Sequence, residues 1–393
     1  MAVGGGSGAA ASLEVEPLLE EARARAGLSD FGRGSWREAL ERLLASVREQ
    51  AAPNAAGVAV LRMRLLDHLV NRLEIEDWVA RHPEVRNQPL PQPLMLATLP
   101  RTGQTALGFI LERDPANRSL LAWFAKHPIP PPGPGSHEGD PRIERERALT
   151  RARPGEVLEM HLYGAEEPDE CHWLISNDFR APHEIYSYRV PSYYAWVRDD
   201  PGIAETYRYY RLQLGLLEAA DPGRRWVLKN SPHLLYMEHL HAVLPDAIFV
   251  QLHRDPRKVL HSNLKLATTL RRMGSDEVDL REVGQSILGL LGDYTDRLLR
   301  FRAAPGAPDF IDLRFRDFVA DPLRAVEEIY ERAGIGMSAE GRDAMAAWIR
   351  AHRRRELREP RPADLSAWGL EPQDVLRRFE PYIETFRVDL DSV

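Results

Sequence analysis

Leu94-Met95-Leu96-Ala97-Thr98-Leu99-Pro100-Arg101-Thr102-Gly103-Gln104-Thr105 is the stretch on which the reading of this chain turns. An apolar run of strand length gives way to a turn carrying a cation, a glycine and hydroxyls, and Ala106-Leu107-Gly108-Phe109 then opens a helix. A strand, a tight turn and a helix start make an anion site: Gly103 admits a ligand close to the backbone, and the first N–H groups of the helix lack partners. The helix dipole adds positive potential there, and Arg101 and Thr105 bring further donors. The segment lacks the second glycine and trailing Lys of a nucleotide P-loop, and it does not match G-x-G-x-x-G. By itself it reads equally as an anion site or as an ordinary strand-to-helix turn.

Working outward, three more short apolar runs read as buried strands: Trp226–Leu228, Ala247–Leu252 and Phe310–Leu313. A helical pattern follows each of the four, at Ala106–Arg113, His233–Val243, Pro256–Leu270 and Pro322–Ala333. Strand-then-helix repetition predicts an α/β fold, a central parallel sheet flanked by helices. Residues 13–93 form a mostly helical N-terminal segment, with two amphipathic helices between Ser35 and Arg81 that part near Pro53-Asn54. The α/β domain then occupies 94–393, and its long, mostly helical insertion at 114–225 is placed to build the acceptor side of a site. Residues 1–12, rich in Gly, Ala and Ser, read as a disordered leader.

Composition narrows the function classes. The chain has 393 residues, 44% hydrophobic and 28% charged, an ordinary globular balance. Lys plus Arg is 52 and Asp plus Glu is 59, so the net charge of −7 argues against a general nucleic-acid binder. Cys171 is the only cysteine, which rules out an intramolecular disulfide and a Cys-rich zinc module. No run of 18 apolar residues is present, so no membrane span is expected and the chain reads as cytoplasmic. Oligomeric state is not legible, and a homodimer is only a weak expectation.

Two further segments place cations at strand ends. Trp226-Val227-Leu228-Lys229-Asn230-Ser231-Pro232-His233 ends a strand on Lys229, and His253-Arg254-Asp255-Pro256 ends another beside Arg254, with Ser262 two turns into the next helix. Ligands of open α/β sheets bind outside the carboxyl ends of the strands. Arg101, Lys229 and Arg254 therefore converge on one crevice, a set suited to a ligand with several phosphate or sulfate groups.

In these motifs the sequence resembles the sulfotransferases that use 3′-phosphoadenosine 5′-phosphosulfate (PAPS), in particular their bacterial small-molecule branch. The matching pieces are Leu99-Pro100-Arg101-Thr102-Gly103-x-Thr105, Trp226–Lys229 with His233, and His253-Arg254-Asp255-Pro256-x-x-Val259-x-x-Ser262. His161-x-x-Gly164-Ala165-Glu166-Glu167-Pro168-x-Glu170-Cys171 and Phe315–Pro322 also fit, so the likeness runs from about Leu94 to Gly334. It implies the P-loop-like sulfotransferase fold and sulfuryl transfer to a hydroxyl of a small organic acceptor, without a metal. Arg101, Thr102, Gly103, Gln104 and Thr105 then correspond to the 5′-phosphosulfate loop, and Arg254 and Ser262 to the 3′-phosphate site. Lys229 stabilises charge on the leaving oxygen. His233 is the first candidate for general base, with His161 and Glu166 in reserve.

The chain departs from the family pattern at three places. Gln104 stands where a second hydroxyl residue is usual, the proline after Lys229 is displaced to Pro232, and Pro360–Leu370 keeps only the Gly-Leu end of a C-terminal loop. These departures leave two other readings: an enzyme of this fold turned to another reaction, or a binding protein for nucleotides or sulfated ligands. A metal held by His161, His172 and the acidic run Glu166–Glu170 fits no common ligand spacing. The dense tyrosines between Tyr186 and Tyr210 read chiefly as core, with a share available to an acceptor wall. Cys171 reads as buried and inert, and the basic run His352–Arg355 as a solvated helix end.

Overall fold

In the computed structural model, which describes residues 13–135, 137–152, 155, 164–356 and 364–390, a five-stranded sheet forms the centre of the chain. The strands are β1 Leu94–Leu96, β2 Asn117–Ser119, β3 Arg225–Lys229, β4 Ile248–His253 and β5 Phe310–Arg314. They run in the order β2-β3-β1-β4-β5, and every pairing is parallel. This is the α/β architecture expected from the strand–helix repetition. The leader 1–12, His161 and Pro360–Pro362 lie outside the described residues.

Side-chain alternation divides the core. Leu94 and Leu96 of β1, Val227 of β3 and Val250 and Leu252 of β4 face one layer with α4 (Gln104–Glu112) and the Pro322–Ala333 helix. Met95, Trp226, Leu228 and Phe249 face the other, against the insertion and the Leu280–Ala303 helix. Both faces of a parallel sheet are covered, so its strands read as continuous apolar runs. Lys229 follows the parity of Val227 and lies under α4, where a Cβ on Gly108 would stand 3.4 Å from its Cδ.

Two local expectations need correcting. The expected helix His233–Val243 is broken: Ser231–Leu235 is a 3₁₀ turn, Tyr236 takes a non-helical φ of −139° and ψ of 36°, and the α-helix starts at Met237. Tyr236 is diverted because its hydroxyl donates to the carbonyl of Val197 at 2.8 Å. Edge strand β2 lies inside the segment read as insertion. Its buried Asn-Arg-Ser sequence has no apolar run to betray it, and it is held instead by polar bonds. Asn117 donates to the Leu111 carbonyl and to the Tyr330 hydroxyl, both at 2.8 Å, and the Arg118 guanidinium lies 4.0 Å over the Trp226 ring.

The N-terminal segment holds α1 (Val15–Ala26), α2 (Trp36–Ser46) and α3 (Ala55–Arg81). Asn54 caps α3 by accepting the Gly57 N–H at 2.9 Å, beside the expected break. These helices share an apolar core with Tyr193 and Val197 of the insertion. A buried polar seam ties them further to it, with Arg72 donating to the Asn177 carbonyl and to Asp178, both at 3.1 Å.

Candidate active site

The carboxyl ends of β3, β1 and β4 lie side by side, with Leu96 paired to Lys229 on one flank and Val250 on the other. The loop after β1 turns through Arg101 at φ 68° and Gly103 at φ 93°. Positive φ strains a non-glycine residue, and such strain concentrates at functional sites. Here Arg101 is fixed from two sides: its carbonyl accepts Nη1 of Arg254 at 2.6 Å, and its Nε donates to Oγ of Ser262 at 2.9 Å. The Arg254 guanidinium also lies 4.1 Å over the ring of Phe315. Residues assigned from two separate motifs thus form one cluster with two cations.

Gly103 is confined for a second reason, since a Cβ there would come within 3.2 Å of Phe315 and Phe318. It caps the nine-residue helix α4 without any side-chain bond to the first-turn N–H groups, the arrangement that suits an anion. Thr102 turns inward and supports the loop, donating its hydroxyl to the Leu99 carbonyl at 2.7 Å. Thr105 is half-buried in the first turn of α4. Gln104 is buried and reaches across the crevice, its Nε2 donating to Oγ of Ser231 at 3.0 Å.

The other wall comes from the insertion. The N–H of Cys171 bonds the Lys229 carbonyl at 3.0 Å, and the N–H of Asp169 bonds that of Leu120 at 2.7 Å. These backbone ties bring Glu170 to Lys229: Oε1 stands 3.8 Å from Nζ, and Oε2 lies 3.6 Å from Nδ1 of His172. Burial raises the neighbouring Asp169, yet the charges of Lys126, Lys229 and His172 prevail and hold it below the usual carboxylate range.

Unsatisfied groups gather in this crevice. Nζ of Lys229, both polar atoms of the Asn230 side chain, Nε2 of His233 and Oε1 of Gln104 are buried and find no hydrogen-bond partner among the described residues. Buried polar atoms are almost always paired, so a cluster of orphans marks a place where a polar ligand completes the bonding.

His233 and Glu166 differ in their surroundings. His233 is wholly buried, with Nδ1 2.8 Å from the Tyr207 hydroxyl, and burial pushes it down to about 3, a weak base at neutral pH. Glu166 is exposed and ion-paired with Arg147. Glu170 lay in a family-matching segment and in an acidic run, but no role was given to it. Asn230, Ser231 and Phe315 carried no sequence signal beyond their neighbours.

His233 also has a consequence for stability. Burial likewise lowers His68 and His127 to about 4 each, so all three are neutral when folded at pH values where the unfolded imidazole, near 6.5, takes a proton. A base whose folded value is depressed contributes stability above about pH 6.5 that is lost as pH falls toward 4. Unfolding near pH 5.5 is therefore expected to take up at least about two protons, read from the pH slope of the unfolding free energy. A slope of zero or of opposite sign in that window contradicts the buried neutral histidines.

A model of the sulfotransferase family matches residues 93–339, which is well over half of the chain. The chain belongs to the sulfotransferase family. Among solved structures it is similar to a sulfotransferase of Mycobacterium avium, STF9, at 28% identity over 97% of this chain and 99% of that one, with a TM-score of 0.88. A second, the sulfotransferase STF1 of Mycobacterium tuberculosis, matches at 29% identity over 94% and 98%, with a TM-score of 0.82. Among curated proteins it is similar to the omega-hydroxy-beta-dihydromenaquinone-9 sulfotransferase Stf3 of Mycobacterium bovis, 27% identical over 111 residues. That match spans 28% of this chain and 29% of the relative's length. Among the described residues no helix is long and apolar enough to cross a membrane, and no group of His, Cys, Asp and Glu is placed to hold a metal.

Proposed function

We propose that this member of the sulfotransferase family moves a sulfuryl group from PAPS to a hydroxyl of a small organic acceptor. The observation that carries the reading is the crevice at three strand ends, where Lys229, Asn230 and Gln104 present orphaned buried polar atoms beside the Arg101–Arg254–Ser262 cluster. A donor with an anionic group at each end matches both halves. The α4 N-terminus and the Gly103 turn take the 5′ end, and Arg254 and Ser262 take the 3′-phosphate, joined there by Arg101, which was expected at the 5′ end and bonds both of them. The donor supplies an activated sulfuryl group whose departure leaves negative charge on a phosphate oxygen.

The chain's own groups supply the rest. Lys229 lies under α4 with its ammonium in the crevice, placed to stabilise charge where the bond to the leaving oxygen breaks. Glu170 takes the proton of the acceptor hydroxyl as the new O–S bond forms, and it is the carboxylate beside Lys229. His172 stands against the other oxygen of Glu170 and aims it. His233 serves through its bond to Tyr207, holding the turn that follows Lys229 in place.

Incubation of the purified protein with PAPS and a panel of phenols and primary alcohols tests this reading. The expected result is a sulfate ester and 3′-phosphoadenosine 5′-phosphate in equal amounts. Release of that nucleotide without any ester across the panel, or no consumption of PAPS, counts against transfer to hydroxyls.

A further inference from the structure

Behind the crevice, polar side chains from β4, β5 and two helices join into one network that the proposed chemistry does not use. His253, the last residue of β4, has Nε2 2.8 Å from Oδ1 of Asp312 in β5 and Nδ1 2.9 Å from the hydroxyl of Tyr382 in the Glu380–Phe386 helix. Arg302 of the Leu280–Ala303 helix donates to both oxygens of Asp312, at 2.6 and 2.7 Å, and to Oε1 of Gln251 at 2.8 Å. Gln251 in turn donates Nε2 to the carbonyl of Ala97, at the root of the Arg101–Thr105 loop, at 3.0 Å. The ring of Phe386 stacks on His253 at 4.3 Å and lies 4.6 Å from the Arg302 guanidinium.

A half-buried ionic cluster of this kind is poor evidence for stability, because apolar side chains of the same volume commonly serve as well. What it does supply is fixed geometry. Its members grip the ends of β1 and β4, the two strands whose following residues are Ala97 and Arg254. The grip on β4 is the more direct one. The Tyr382 oxygen lies 2.9 Å from Nδ1 of His253, the residue whose peptide bond leads into Arg254. Arg254 then bonds the strained Arg101 at its carbonyl, and Arg101 bonds Ser262.

We infer that Tyr382 is a positioning residue for the 3′-phosphate site: its hydroxyl, brought by the Glu380–Phe386 helix, fixes the peptide carrying Arg254 so that the Arg101–Arg254–Ser262 cluster is preorganised for one phosphate. Preorganisation counts because a cation on a loosely held backbone must be ordered when the anion binds, and that cost is subtracted from affinity. The hydroxyl of the helix meets the site at His253, so its effect is expected at the phosphate that Arg254 meets. The inference rests on the PAPS reading proposed above.

Tyr382→Phe keeps the ring and its packing and deletes only the hydroxyl. Wild type and variant are titrated with 3′-phosphoadenosine 5′-phosphate and with adenosine 5′-phosphosulfate, which lacks the 3′-phosphate. The expected loss is about fivefold to tenfold for the first ligand, the worth of one hydrogen bond, and under about twofold for the second. An equal loss on both ligands, or no loss on either, overturns the assignment. A wild type that does not prefer the 3′-phosphorylated ligand overturns the donor reading, and this assignment with it. Thermal unfolding reports whether the variant folds. His253→Gln, which withdraws the ring from Tyr382 while keeping a donor for Asp312, is the second variant, expected to shift the same ratio in the same direction.

Discussion

Lys229→Met is expected to lower turnover by about 100- to 1,000-fold while changing the affinity for 3′-phosphoadenosine 5′-phosphate by no more than about threefold. The stem of Lys229 is packed under α4 beside Gly108, and methionine preserves its length and apolar contact. What is lost is the ammonium, which is buried, makes no hydrogen bond to a described residue and has Glu170 at 3.8 Å. A cation held there contributes most when charge develops on the leaving oxygen, so its removal falls on kcat and spares binding. The variant also leaves Glu170 without the cation beside it, so a lower melting temperature is expected, and thermal unfolding checks that the protein still folds. A turnover within tenfold of wild type contradicts the role given to Lys229.

Glu170→Gln is expected to reduce kcat by about 100- to 1,000-fold with little change in KM for the acceptor, since the amide keeps the shape and cannot take a proton. The backbone bond from Cys171 to Lys229 holds residue 170 against β3 whichever side chain it carries. His233→Gln is the contrast. Its imidazole is wholly buried, pushed down to about 3 and engaged with Tyr207, so its replacement acts through the shape of the Ser231–Leu235 turn. That effect is expected within about tenfold at optimal pH and without a displaced pH profile. A larger loss from His233→Gln than from Glu170→Gln, with the acid limb of the profile removed, returns the proton transfer to the histidine.

Residues whose chemistry and chain position agree were the ones legible in the sequence. The runs Leu94–Leu99, Ala247–Leu252 and Phe310–Leu313 announce buried parallel strands because both faces of such a sheet are apolar, and Arg101, Arg254 and Ser262 meet because each follows a strand in the expected order. Strand β2 escaped notice because it is held by side-chain hydrogen bonds instead of hydrophobic alternation. The helix after β3 was drawn too long because the distant Val197 carbonyl, invisible to local pattern, claims the hydroxyl of Tyr236. His233 was singled out by its residue type, while its burial, a tertiary property that lowers its basicity, was not legible in the sequence. Glu170 stood in a matching motif among three acidic neighbours without a role of its own, because only the tie from Cys171 to Lys229 picks it out.

Calorimetric titration with 3′-phosphoadenosine 5′-phosphate, wild type beside Arg254→Ala, tests the central claim most directly. The account predicts micromolar binding by the wild type and a loss of about 30-fold or more in the variant, as expected when one charged partner of a phosphate is removed. Absence of binding by the wild type, or equal affinity in the two proteins, contradicts a donor site built on Arg101, Arg254 and Ser262.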